Sequence, residues 1–343
     1  MPVKPKILAT NPVFPETQAL LEAYATVEVN PSVEPWDYHE VRRRCRDAVG
    51  LLAFMTDRID ADFLAACPDL RVIGAALKGF DNIDLHAATG AGVWVTIVPD
   101  LLTVPTAELA IGLMLSLGRN IVTGDRNIRA NGFHGWRAQL YGAGLAGATV
   151  GIVGFGLVGR AIAERLAGFQ CRLLACDQSV SATTAEAWPY VTMTSFENVI
   201  ASSDYVVLAL PLIASTMHIV NAETLAAMKR CARLVNPARG SLVDESAVAD
   251  AISRGQLAGY AADAFECEDW ALENRPSGID RRLLDLSAPT VFTPHIGSAV
   301  TDVRREIELS AARSILDVLA GRVPFGAVND PGKRMAHAQS AAR

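Results

Sequence analysis

The stretch VGIVGFGLVGRAIA sets Gly154, Gly156 and Gly159 at G-x-G-x-x-G spacing between an apolar strand-like run and a helix-like one, and this constrains the chain more than any other feature. Each glycine has a physical task. Gly154 lets the chain turn tightly, Gly156 lets the backbone approach a pyrophosphate, and Gly159 lets the helix lie close on the strand. Leu157 and Val158 lie between them at the helix N-terminus, where backbone N–H groups face the anion. A second apolar run, Arg172 to Cys176, ends in Asp177, 18 residues past Gly159 and near the ~20 expected for the acid that takes the ribose hydroxyls. A carboxylate there repels a 2′-phosphate, so the pattern favours NAD over NADP.

The rest of the chain alternates in the same way. Apolar runs at Lys6 to Thr10, Ala48 to Phe54, Leu70 to Ala76 and Val93 to Ile97 are separated by helix-like patterns such as Glu16 to Ala25, which signals βαβ units and a parallel sheet. Pro105 to Arg119 is apolar around most of its circumference and predicts a long, buried helix. From Ala148 onward six strand-like runs fit one doubly wound sheet, and the amphipathic stretch Asp302 to Leu319 follows them. With 343 residues the chain has room for two cores. The predicted division is 1–102 with 302–343 as one domain and 103–301 as the other, with the tail from Pro331 frayed.

Composition excludes several classes. The net charge of −6 offers no general field for nucleic acid. No run reaches the ~18 apolar residues of a membrane span, and the N-terminus has no signal-peptide pattern. The six cysteines lack CxxC spacing and read as reduced thiols of a cytoplasmic protein, with no metal expected. Only five of the basic residues are lysines, so Lys78, inside an apolar segment, asks for a specific reason.

Three stretches at the ends of later strands carry polar groups: NPARGSLVDE with Arg239, ADAFECEDW with Glu268, and TPHIGS with His295. Strand C-terminal ends are where ligands bind in this architecture. An imidazole exchanges protons near neutrality, a carboxylate fixes its tautomer, and an arginine fork grips an oxyanion. Glu268 lies in the acidic run Glu266, Glu268, Asp269, which also reads as a solvated surface.

With GFDNID at Gly79 to Asp84, GFGLVG at Gly154 to Gly159, VNPARGSLVDE, D-x-F-E-x-E at Asp263 to Glu268, and TPHIGS, the chain resembles the D-isomer-specific 2-hydroxyacid dehydrogenase family over nearly its whole length. The resemblance implies an α/β fold of two flavodoxin- or Rossmann-like domains with parallel sheets, the cofactor domain inserted into the substrate domain, and a site in the cleft. It implies that Arg239 holds the substrate anion, that His295 exchanges the proton and that Glu268 orients it. Thr106, Pro211 and Asp263 match positions lining the nicotinamide pocket, with Asn236 and Ala238 on the same wall.

Two departures stand out: Asp269 and Trp270 where the family commonly has Pro after the glutamate, and Lys78 where it commonly has an aliphatic residue before Gly79. Lys78 and Arg239 together suit a compact dianion. The segments ALKGFDN, PDLLTVPTAE, GWRAQLYG and FECEDW are similar to a branch of the family that oxidises phosphite to phosphate while reducing NAD. That likeness makes phosphite the expected substrate, held by Lys78, Gly79 and Arg239. Met55, Trp136 and Tyr141 shape the pocket, and Ser298 and Arg304 lie near His295. It leaves His295 and Arg239 as candidates for the base that activates water. It also implies a homodimer formed through about Gly124 to Leu145. The alternatives are reduction of a small 2-keto acid such as glyoxylate or hydroxypyruvate, and a non-catalytic NAD-sensing scaffold.

Overall fold

The computed structural model describes residues 4–179, 187–270, 272 and 274–332. It divides into two compact units, one of Met1–Leu102, Trp270–Glu273 and Ala299–Arg343, the other of Thr103–Asp269 and Asn274–Ser298.

In the first unit five parallel strands, β1 (Lys6–Ala9), β2 (Thr26–Val29), β3 (Gly50–Ala53), β4 (Val72–Ala75) and β5 (Trp94–Thr96), are ordered β2-β1-β3-β4-β5. Successive side chains point to opposite faces. Leu8, Leu51 and Ile73 therefore join Phe63 and Val95 in one core, while Ile7, Leu52 and Val72 join Ile307 and Ile315 in another. The second core is closed by the helix Thr301–Leu319, and Gly74 on β4 is what lets it close. A Cβ at Gly74 would lie 2.7 Å from Ile315 Cγ1. Aspartates start the shorter helices: Asp37, Asp60 and Asp84 accept from the backbone N–H groups of Glu40, Phe63 and Ala87.

The second unit has seven parallel strands, β6 (Thr149–Val153), β7 (Arg172–Cys176), β8 (Val191–Met193), β9 (Tyr205–Leu208), β10 (Arg233–Asn236), β11 (Gly259–Ala262) and β12 (Thr290–Phe292). Their order, β12-β11-β10-β9-β6-β7-β8, reverses between β6 and β9, the switch point where such sheets bind ligands. Val150, Ile152, Val207 and Val235 pack on one face with Met114 and Leu117 of the helix Thr103–Gly118; Leu174, Val206 and Leu234 pack on the other with Val199 and Val248.

At the edges the structure departs from the expected pattern: β2 and β8 are short edge strands with mixed polarity that no apolar run marks, and the second unit has seven strands where six are expected. The long helix begins at Thr103, not Pro105; proline fits its first turn, where the missing N–H has no intrahelical partner. The tail reading falls outside the described residues from 333 onward. Among the described residues no helix is long and apolar enough to cross a membrane.

Candidate active site

The glycine loop after β6 has the geometry its spacing demands. Gly154 has φ +96°, and a Cβ there would lie 2.5 Å from Ala209 O. A Cβ on Gly159 would lie 2.1 Å from Gly154 O, so only glycine lets the helix Leu157–Leu166 sit this close to the loop. A Cβ on Gly156 would meet nothing within 4 Å. That open space lies at the start of a helix with no side-chain cap, so its first N–H groups are available to an anion. Leu157 is exposed and Val158 half-buried at the same rim. Asp177 Oδ2 accepts from Phe155 N at 2.7 Å and Oδ1 from Ser179 N at 2.7 Å. A carboxylate has about four acceptor positions, so capacity remains for ribose hydroxyls. These residues fit a dinucleotide. Pro211, past β9, accepts through its carbonyl from Thr216 Oγ1 at 2.8 Å.

Three loops at the C-terminal ends of β10, β11 and β12 form the chemical part of this unit. Buried Asn236 shapes the first: its Nδ2 donates to Arg239 O at 2.8 Å and its Oδ1 accepts from Ala238 N at 3.1 Å. Arg239 Nη1 donates to Ala238 O at 3.0 Å. The next residue, Gly240, presses on the second loop so closely that a Cβ would lie 1.8 Å from the Phe265 carbonyl carbon. Ser241 N, further along, donates to Asp269 Oδ2 at 2.7 Å. Between those two contacts runs the turn Glu266–Glu268.

Glu268 Oε1 accepts from Phe265 N at 2.9 Å and lies 3.0 Å from His295 Nδ1. A carboxylate on Nδ1 fixes that nitrogen as the N–H and leaves Nε2 to exchange protons. His295 has φ +53°, uncommon for a side-chain-bearing residue, and buried Asp263 holds the loop that requires it. Asp263 accepts from Thr293 Oγ1 at 2.6 Å and from Ile296 N and Gly297 N at 2.8 Å each, and its own carbonyl accepts from His295 N at 2.9 Å. Burial pushes its carboxyl up, against these hydrogen bonds and the nearby His295. Thr106 closes the loop from the long helix, 3.3 Å from where a Gly297 Cβ would stand. Ser298 follows, half-buried.

In the first unit, Lys78 and Gly79 follow β4 and are half-buried. Burial lowers the Lys78 ammonium from its ordinary value while the charge of Asp100 opposes the shift. Arg304, on the helix Thr301–Leu319, donates from Nη1 to Ala76 O at 3.3 Å and so lies at the same strand end. Burial lowers the Arg304 guanidinium, against the charge of Glu308. Met55 follows β3 and packs against the core containing Leu8 and Phe63. Trp136 and Tyr141 are 80% and 79% exposed, in a stretch without helix or strand. Among the described residues no group of three or more His, Cys, Asp or Glu side chains is placed to hold a metal ion.

The acidic run is not the solvated surface that its composition allows. Asp269 is buried and ties the turn to Ser241 N, which gives the departure from Pro a structural task. Two residues in the same assembly went unpredicted: His218, with Nε2 2.6 Å from Glu266 Oε1, and buried Glu245, whose Oε1 accepts from Glu266 N at 3.0 Å. No spacing in the sequence signals either.

Residues 111–297 match the model of the D-isomer specific 2-hydroxyacid dehydrogenase NAD binding domain. The chain is 35% identical over 329 residues to a glyoxylate reductase of Thermofilum pendens, covering 95% of each, and 35% identical over 332 residues to one of Pyrococcus furiosus, covering 95% of this chain and 96% of the relative. Among solved structures it is similar to the TT0316 protein of Thermus thermophilus, with TM-score 0.85, 34% identity, and 94% of this chain and 100% of that one covered. It is also similar to a glyoxylate reductase from Paecilomyes thermophila, with TM-score 0.82, 26% identity and coverage of 96% and 99%. The chain belongs to the D-isomer specific 2-hydroxyacid dehydrogenases and carries their NAD-binding domain. The Thermofilum, Pyrococcus and Paecilomyes relatives are named as glyoxylate reductases, not as the phosphite-oxidising branch expected from the sequence.

Proposed function

We propose that this chain is an NAD-dependent oxidoreductase of a small oxyanion and that the oxyanion is phosphite, oxidised to phosphate as in phosphite (phosphonate) dehydrogenase. The observation that carries this reading is Lys78, a half-buried lysine at the end of β4 where Arg304 also lies. One arginine suffices for the single carboxylate of a 2-hydroxy acid; further cations suit a dianion.

When bound, NAD supplies the hydride acceptor, and water supplies the fourth oxygen of phosphate. The resemblance gives Lys78 and Arg239 the task of holding the anion, and gives Arg304, Met55, Trp136, Tyr141 and Ser298 that of its surroundings. His295 takes the proton from water through Nε2, because Glu268 fixes Nδ1 at 3.0 Å. The buried carboxylate of Asp263 keeps that imidazole in place. The reading includes a homodimer, supported by the exposed apolar side chains Ile121, Ile128, Phe133 and Trp136.

A second reading, reduction of glyoxylate, has more support from the named relatives than phosphite oxidation does. It uses Arg239 for the carboxylate and His295 as proton donor to the carbonyl, and does not call on Lys78 for the substrate. A scaffold that only senses NAD needs neither the His295–Glu268 pair nor the loop built around it.

The deciding experiment mixes the purified chain with NAD and phosphite and follows NADH, in parallel with NADH and glyoxylate. Phosphite is expected to give NADH and phosphate in equal amounts. A higher kcat/KM for glyoxylate assigns the second reading, and no turnover of either refutes both.

A further inference from the structure

The turn Glu266–Glu268 has two faces. One presents Glu268 to His295. On the other, Glu266 and Glu245 are bound reciprocally: Glu266 N donates to Glu245 Oε1 at 3.0 Å, and Glu245 N donates to Glu266 Oε2 at 3.1 Å. His218 Nε2 stands 2.6 Å from the remaining oxygen, Glu266 Oε1. His218 itself has φ +48°, and its backbone N donates to Ser241 O at 2.8 Å, which ties it to the Arg239 loop. Glu245 Oε2 is fully buried and has no hydrogen-bond partner among the described residues.

We propose that His218, Glu266 and Glu245 form a second proton-holding cluster behind the catalytic turn, and that His218 and Glu245 are positioning residues whose proton keeps Glu268 aligned on His295. Both backbone hydrogen bonds between Glu245 and Glu266 bring two carboxyl groups together. The Glu245 carboxyl meets backbone N–H groups, those of Glu266 and Asp280, but no cation, and burying a carboxylate without one costs more than burying the neutral acid. The groups facing Glu245 are Glu266 and Cys267 of the turn, Tyr260 of β11 and Asp280, whose own charge is met by Arg282 at 2.7 Å. None of those facing Glu245 directly is a cation. Burial and the charge of Glu266 push the Glu245 carboxyl up to about 7, with backbone hydrogen bonds opposing. Losing its proton sets two buried carboxylates against each other across the bonds that anchor the turn. The turn then loosens, and Glu268 with it.

The inference relies on the His295–Glu268 pair being the proton-exchanging one but not on which substrate is turned over, so its first test needs no substrate. In ¹⁵N-histidine-labelled protein, the His295 ring nitrogens are followed by NMR from about pH 5.5 to 9, a range spanning histidine and the raised carboxyl. The wild type is expected to show a change in the His295 ring signals that follows the Glu245 ionisation. Glu245→Gln keeps an oxygen for Glu266 N and cannot ionise, so that change should be absent. His218→Gln, a half-exposed change that leaves the core intact, should move it by about half a pH unit or more. With phosphite turned over, the alkaline fall of kcat should disappear in Glu245→Gln, leaving it about threefold or more faster than wild type on that limb; with glyoxylate, where His295 must itself carry the proton, the fall should become shallower. His295 signals with the same pH dependence in the wild type and in folded Glu245→Gln overturn the proposal. A Glu245-linked change unmoved in His218→Gln removes His218 from it.

Discussion

Asp263→Asn tests the loop that carries His295. The carboxylate accepts three hydrogen bonds, from Thr293 Oγ1, Ile296 N and Gly297 N. An amide keeps one oxygen for the first two and turns an NH₂ group toward the third, leaving a buried backbone N–H unpaired at about 1–3 kcal/mol. Relief of the buried charge offsets the weakening of the surviving bonds, so the loss is about 2 kcal/mol; in a unit of this size each kcal/mol shifts Tm by about 2–4 °C, so the nucleotide unit should melt about 4–8 °C lower. The left-handed backbone at His295 costs ~1–2 kcal/mol and persists only while these bonds hold it. Once they weaken, Nδ1 leaves Glu268 and kcat should fall about 100-fold. Scanning calorimetry and steady-state kinetics on the same preparation check both. A variant that melts with the wild type and keeps near-native kcat would refute the assignment of Asp263 as the organiser of this loop.

Asp177→Ala removes the charge that opposes a 2′-phosphate, so relative use of NADP should rise and NAD efficiency should fall; an unchanged NADP-to-NAD ratio in kcat/KM takes Asp177 out of the ribose site. Lys78→Ala should weaken phosphite by about 10- to 100-fold, the equivalent of one charge-assisted contact of ~1.5–3 kcal/mol, with NAD binding by fluorescence titration nearly unchanged. Burial pushes the Asp57 carboxyl up to about 6, opposed by hydrogen bonds from Thr10 Oγ1 and Phe54 N. Its folded value exceeds its unfolded value of ~3.9, so its contribution is complete below about pH 4 and lost as pH rises through 6. Asp57→Asn should flatten that part of a Tm-against-pH curve, and a curve parallel to wild type would contradict it.

The inner strands were legible because both of their faces are covered, which makes GLLA, VIGA and YVVL continuous apolar runs. Edge strands β2 and β8 have one flank in solvent and need no such run, so composition does not mark them. The candidate site was legible wherever a residue's own chemistry stands at a strand end, as at Glu268 and His295, which the structure brings within 3.0 Å. It was not legible where a role depends on a distant loop. Asp269 acts on Ser241, 28 positions away, and His218 on Glu266, 48 positions away, and no periodicity encodes such pairs.

Gly240 has a consequence for how substrate preference can change within this architecture. With the Arg239 loop in backbone contact with Phe265, that loop and the Glu268 turn move as one casting, and neither can be reshaped alone. A strand-end residue such as Lys78 belongs to a separate unit and stands outside that casting. On the phosphite reading, exchanging an aliphatic side chain for an ammonium there would alter which anion is welcome while the Glu268–His295 pair stays as it is.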